Sequence, residues 1–331
     1  MAPQIAWLGL GNMGRGMVKN IVEKGDIDKP VIIYNRTTAR AEKLSSSLPS
    51  GKTKVVTSID DAVSPADIVF TCLGDDKAIE ETISSAVKAD VKGKLFVDCS
   101  TVHPDTTDKL AKTITDAGAE FVACPVFGAP AMADSGQLIC IFAGPAAAVK
   151  KALPYGKGVM GRANIDFSDQ SAGAATRLKI IGNTMILNMV ESLSEGHVLA
   201  EKSGLGSEDF HKFIEVMFPG PYTAYSTRLT SGDYYKRDEP LFAVDLARKD
   251  AGHAMDLAKT HGARMRAVEV ADQHLSDVQK HMGSKGDIAG IYGAVRQESG
   301  LKCTISENGE EMPISIRTVS ILSKFTQVRY T

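Results

Sequence analysis

A strand-like run, Ile5–Gly9, turns directly into Gly9-Leu10-Gly11-Asn12-Met13-Gly14, and a helical stretch, Met13–Lys24, follows at once. Three glycines in six residues mean little by themselves. Set between a strand pattern and a helix pattern, they leave few folds open. Gly9 permits a tight turn, Gly11 clears the backbone for close approach to a pyrophosphate, and Gly14 lets the helix pack against the strand. The helix start then presents free amides and the positive end of its dipole to an anion. The spacing predicts the first unit of a doubly wound, dinucleotide-binding sheet.

The next stretches keep that grammar. Val31–Tyr34, Ile68–Leu73, Leu95–Asp98, Phe121–Cys124 and Leu138–Ala143 are short apolar runs, with Val55–Val56 as a shorter one. Helical stretches such as Ala39–Leu48 separate them. Apolar residues on both faces are what parallel strands covered by helices require. After about Asp169 strand patterns stop, and Ala172–Ser203 reads as one long helix with wide apolar faces. The expected fold is α/β: a Rossmann-type domain over residues 1–168, then an all-helical substrate and dimerisation domain over 169–300. Residues 301–331 form a polar tail carrying Ile314, Ile316 and Val319, whose role the pattern leaves open.

Cofactor choice is read at the end of the second strand. An NAD site usually carries Asp or Glu there, about 20 residues past the glycines, to bind the ribose 2′-hydroxyl. This chain has Asn35-Arg36-Thr37. No carboxylate repels a phosphate, Arg36 can cover one, and Thr37 can donate a hydroxyl, so NADP(H) is expected. Ligands of such sheets sit at the carboxyl ends of strands, which brings in Leu73-Gly74-Asp75 and Ser100-Thr101, with Ser100 toward the substrate. Ser and Thr at these turns are equally good helix caps.

Within the long helix, Lys179 and Asn183 are four residues apart and share a face. Leu178, Ile180 and Ile181 around them are apolar. A lysine in a partly desolvated cleft has a lowered pKa, which suits proton exchange near neutrality. Lys179 would protonate a carbonyl oxygen as hydride reaches its carbon, and Asn183 would hold that oxygen or the lysine. Helix geometry alone leaves a lysine reaching to solvent equally open.

Gly-Leu-Gly-x-Met-Gly, Asp98-Cys99-Ser100-Thr101, the Gly173–Asn183 approach and Phe242-x6-Lys249-Asp250 occur in this order. Over residues 4–298 the chain resembles the β-hydroxyacid dehydrogenase family, closest to its NADPH-dependent glyoxylate/succinic semialdehyde reductase branch. The resemblance implies that Lys179 is the acid/base with Asn183 its partner, that Lys249 approaches the cofactor, and that Phe242 lines the substrate pocket. It also implies a small aldehyde or ketone substrate bearing a carboxylate. One departure bears on that: the family usually has Pro-Val-Ser-Gly-Gly where this chain has Pro125-Val126-Phe127-Gly128-Ala129. Phe127 replaces a hydroxyl donor with a ring, while the Gly128 and Ala129 amides can still face an anion. Imine reduction and a non-catalytic dinucleotide-binding role are the alternative readings, and Lys179 argues against both.

The remaining features exclude rather than assign. A net charge of −2 over 331 residues offers nothing to nucleic acid. No apolar run approaches the roughly 18 residues of a membrane span. The N-terminus lacks a secretory pattern, and five cysteines without a Cys-x-x-Cys pair fit a reducing compartment, expected to be the cytosol. The seven histidines are scattered along the chain, and no metal site is expected. The Tyr222, Tyr225, Tyr234 and Tyr235 group reads as helix packing or a pocket wall. The apolar excess of the long helix predicts a homodimer or homotetramer.

Overall fold

The computed structural model describes residues 2–303. The elements run β1 (Ile5–Leu8), α1 (Asn12–Lys24), β2 (Val31–Tyr34), α2 (Thr38–Ser47), β3 (Thr53–Val55), α3 (Ile59–Val63) and β4 (Ile68–Thr71). Next come α4 (Asp76–Ala86), β5 (Leu95–Asp98), α5 (Pro104–Asp116), β6 (Glu120–Ala123) and β7 (Val126–Phe127). Then follow α6 (Pro130–Ser135), β8 (Leu138–Gly144), α7 (Ala146–Ala152) and β9 (Gly161–Ser168). The rest is helical: α8 (Gly173–Lys202), α9 (Ser207–Met217), α10 (Pro221–Ser231), α11 (Asp233–Lys236), α12 (Val244–Thr260), α13 (Arg266–Met282) and α14 (Ile291–Glu298).

The sheet order is β3-β2-β1-β4-β5-β6-β8-β7, with β9 added beside β8. The first six strands of this order are parallel, as the apolar runs predict. The far edge is not. β8 runs antiparallel to β6 and to β7, and β9, Gly161–Ser168, went unread because polar residues alternate through it at a half-covered edge.

Alternation within each strand feeds two cores. Trp7, Ile33, Phe70 and Val97 pack on one face with Met17, Val18 and Ile21 of α1. Ala6, Leu8, Ile32, Val69 and Phe96 pack on the other with Ile79, Ile83 and Leu110. A third core lies among α8–α14, where Tyr234 is buried and Tyr222, Tyr225 and Tyr235 pack against it as half-buried neighbours. The tyrosine group therefore joins helices. Between sheet and α8, Asp169 takes φ +64 and its carboxylate accepts from the Ala146 amide at 2.9 Å, which turns the chain into the helix.

Helix α8 runs 30 residues and touches the sheet side at its start and the helical core along the rest. β1 lies between β2 and β4, so the crevice above their carboxyl ends falls between the glycine turn and the helices. Among the described residues no helix is long and apolar enough to cross a membrane. The expectations for the tail beyond residue 303 fall outside the described residues.

Candidate active site

Gly9 adopts φ +100, and a Cβ there would meet the Cys72 carbonyl oxygen at 2.3 Å. At Gly14 a Cβ would lie 2.3 Å from the Gly9 oxygen. At Gly11 it would meet nothing within 4 Å. Two glycines thus close the turn, and the third faces open space at the start of α1. That helix has no side-chain cap and no acidic residue in its first turn. An uncapped helix start beside a cleared backbone fits a dinucleotide pyrophosphate.

Leu10 is buried, and its amide donates to Asn35 Oδ1 at 2.9 Å. Asn35 Nδ2 donates to the Thr37 carbonyl at 3.0 Å, so the Asn35 side chain holds two loops together. Arg36 and Thr37 are exposed. Thr37 caps α2 by position without bonding through its hydroxyl, and the Arg36 guanidinium has no hydrogen bond or ion pair among the described residues. Across the crevice, Asn12 Nδ2 donates to the Pro240 carbonyl at 3.1 Å and Arg15 pairs with Glu239 at 3.3 Å. Met13, half-buried, packs against the core below the turn.

On α8, Lys179 is 8% exposed. Its Nζ donates to Asn183 Oδ1 at 2.8 Å, and Asn183 Nδ2 donates to Asp250 Oδ2 at 2.6 Å. The other Asp250 oxygen faces Lys249 Nζ at 3.3 Å. Lys249 also donates to the carbonyls of Gly74 (3.0 Å) and Thr101, both at strand ends of the sheet. Burial pushes the Lys179 ammonium down to about 8; the Asp250 charge pulls the other way, and Lys249 adds to the lowering.

Asp250 enters the sequence pattern only as the neighbour of Lys249; its place at the end of the Lys179–Asn183 chain is a finding of the structure. A signal was present. The buried positions of α12 are Val244, Ala247, Asp250, Ala251, Ala254 and Ala258, so a carboxylate stands on the helix's apolar stripe. Charged side chains rarely stand there unpaired.

Phe127, at the end of β7, lies against α8. A Cβ on Gly182 would sit 2.3 Å from its Cζ, and Lys179 Nζ stands 4.6 Å from the ring centroid. Gly128 (φ +141) and Ala129 follow it and are exposed. Ser100 is buried, 1% exposed; its hydroxyl donates to Asp98 Oδ1 at 2.6 Å and accepts from the Leu73 amide at 2.9 Å. Its side chain ties two strand ends together. Asp75 caps α4 by accepting from the Ala78 amide at 2.8 Å.

Phe242 packs on the helical core, and its amide and that of Leu241 donate to Asp287 Oδ2 at 3.0 and 2.8 Å. Asp287, 0% exposed, also pairs with Arg228 at 2.7 Å and was likewise missed. The histidines meet in space more than their spacing indicated. His253 bonds Asp76 at 2.8 Å, His103 faces Asp256 at 3.4 Å, and both contacts join α12 to the sheet domain. No group of three or more His, Cys, Asp or Glu among the described residues is placed to hold a metal ion.

Comparison with known proteins fits this arrangement. Residues 4–163 match the NAD binding domain of 6-phosphogluconate dehydrogenase, and residues 173–295 match the NAD-binding domain of NADP-dependent 3-hydroxyisobutyrate dehydrogenase. The NADH-dependent oxidoreductase ucdB of Aspergillus ustus is 40% identical over 89% of this chain and 100% of its own length. Glyoxylate/succinic semialdehyde reductase 2 of Arabidopsis thaliana is 29% identical over 88% of this chain and 79% of its own. The chain belongs to the β-hydroxyacid dehydrogenase family. As a β-hydroxyacid dehydrogenase it is an NAD(P)-dependent oxidoreductase by family. The fold agrees with that of 3-hydroxyisobutyrate dehydrogenase from Mycobacterium tuberculosis, at TM-score 0.75 and 23% identity, covering 89% of this chain and 100% of that one.

Proposed function

We propose that the protein reduces a small aldehyde or ketone to its alcohol with NADPH, using Lys179 as the proton donor. The observation that carries the reading is the Lys179–Asn183–Asp250 chain, which holds a buried ammonium with a pKa near 8. When bound, the nicotinamide supplies hydride to the carbonyl carbon. Lys179 transfers a proton to the carbonyl oxygen, so the alcohol forms as carbon gains hydride and oxygen gains a proton. Asn183 Oδ1 can only accept, and it fixes one of the three ammonium donors, leaving others for substrate. Asp250 holds the Asn183 amide in that orientation.

The glycine turn from Gly9 to Gly14 would hold the pyrophosphate, and Lys249 would brace the strand ends at Gly74 and Thr101 beside it. Preference for NADPH rests on Arg36, exposed and unpaired, with the free Thr37 hydroxyl next to it. The printed names point both ways, to NADH for the Aspergillus ustus oxidoreductase and to NADP for the family matched by residues 173–295, so the residue chemistry carries the choice. Whether the substrate bears a carboxylate turns on residue 127. Exposed Leu199 and Leu205, with Phe213, Val216 and Met217 on α9, favour a homo-oligomer in solution.

The test is to follow NADPH oxidation with a panel of aldehydes for the native protein and for Lys179→Ala, with cofactor binding measured separately. The reading expects turnover lost and binding kept. Turnover equal in the variant would remove Lys179 from the mechanism.

A further inference from the structure

We infer that the substrate is an uncharged carbonyl compound with an apolar or aromatic substituent, selected by Phe127 seated on Gly182. This rests on the carbonyl-reduction reading of the same site and narrows its substrate class.

Phe127 is fitted, not merely present. Its ring edge, at Cζ and Cε1, lies where any Cβ on residue 182 would stand, at 2.3 and 2.5 Å. Only glycine at 182 lets the ring reach this close to α8. Its face is turned to Lys179 Nζ, 4.6 Å from the centroid. The ammonium therefore has the Asn183 oxygen on one side and a ring face on another, and substrate oxygen must approach in the space that remains.

The face of an aromatic ring carries the negative part of its quadrupole. It attracts the ammonium and repels a carboxylate placed against it. Phe127 has no hydrogen to donate, so a carboxylate beside it would lose water and gain no bond. A methylene chain or an aromatic ring loses nothing there and gains dispersion contact. Met185, three residues after Gly182 on the same helix face and 65% exposed, continues the apolar surface outward.

Butanal and succinic semialdehyde share a four-carbon aldehyde and differ at the far end, a methyl against a carboxylate. The native enzyme with NADPH and with NADH should show kcat/KM higher for butanal by roughly tenfold or more. Phe127→Ser, which restores a hydroxyl donor, should move the ratio toward succinic semialdehyde by a similar factor, and Phe127→Leu should keep the native preference. Gly182→Ala, which pushes the ring away without touching residue 127, should weaken it. If Phe127→Ser fails to fold, the native ratio and the Leu variant still decide. Native preference for succinic semialdehyde overturns the inference and leaves carbonyl reduction standing. Turnover of neither aldehyde, with cofactor bound, removes the carbonyl-reduction reading and the inference with it.

Discussion

Lys179 is tied to Asp250 through a single amide: Asn183 accepts from the lysine at 2.8 Å and donates to the carboxylate at 2.6 Å. The two charges sit on different helices, α8 and α12, and α12 also carries Lys249, which bonds the sheet at Gly74 and Thr101. Lys179, the proposed proton donor, is thereby tied through bonded neighbours to the strand ends at Gly74 and Thr101. Replacing Asp250 with Asn keeps the size of the side chain and an acceptor for Asn183, but removes the charge that supports the ammonium. The high-pH limb of kcat for reduction should then move to lower pH. A limb that stays in place while kcat falls would show that Asp250 acts only by packing.

The native pH dependence follows from the same lysine. With Lys179 near 8, the protonated form that the proposed reduction needs dominates at neutral pH and is lost as pH rises through about 8. Oxidation of an alcohol needs the neutral amine and should rise over the same range. Opposite limbs with one midpoint are the expected pair of profiles. Lys179→Ala should cost roughly 10²–10⁴-fold in kcat, the usual worth of a placed general acid.

Much of this site is legible from the chain because its parts lie close in sequence. The glycine turn is six consecutive residues, and Lys179 and Asn183 are one helical turn apart. The contacts that complete it are long-range. Asp250 stands 67 positions from Asn183, and Asp287 meets Leu241 and Phe242 from 46 and 45 positions away. No local periodicity encodes such pairs, although a carboxylate on an apolar stripe marks that a partner must exist. Gly182 reads as an ordinary helix glycine until the Phe127 ring is seen lying on it. The edge strand β9 was missed for a related reason: with one face half open it lacks the apolar run that marks central strands.

Cofactor choice should follow Arg36. Its guanidinium is exposed and unpaired at the end of β2, where a 2′-phosphate would lie. Arg36→Asp should reverse the ratio of kcat/KM for NADPH over NADH, by roughly tenfold or more in each direction, since a charge-assisted contact is replaced by repulsion. An unchanged ratio would show that Arg36 is only a solvated side chain.

The single tryptophan offers a probe of the glycine turn. Trp7 is fully buried, stacks on Phe70 at 5.4 Å, and donates from Nε1 to the Gly9 carbonyl at 2.7 Å. A Cβ on Gly14 would fall 3.1 Å from that Nε1 and 2.3 Å from the Gly9 oxygen. Gly14→Ala should shift Trp7 emission, weaken cofactor binding, and cost about 1–3 kcal/mol of stability from overpacking. Native emission with weakened binding would place the effect elsewhere than the turn.

Stability should carry a separate pH signature from His274, on α13 and away from the cleft residues. Its Nδ1 lies 2.8 Å from Glu191, which is buried, and its Nε2 lies 3.0 Å from Glu298. The Glu191 bond raises the imidazole to about 9 against the burial that opposes it, and Glu298 adds to the rise. The unfolded chain titrates near 6.5, so between these values the native state holds the extra proton. The contribution is complete below about 6.5, declines with rising pH, and is gone above about 9. Its full size is at most about 3 kcal/mol. Denaturant unfolding of native protein and His274→Gln, compared at pH 6 and pH 9.5, isolates it because every other titration is common to both. The native advantage should shrink by on the order of 2 kcal/mol at the higher pH. An advantage that is the same at both values would mean the imidazole contributes as a neutral packing group.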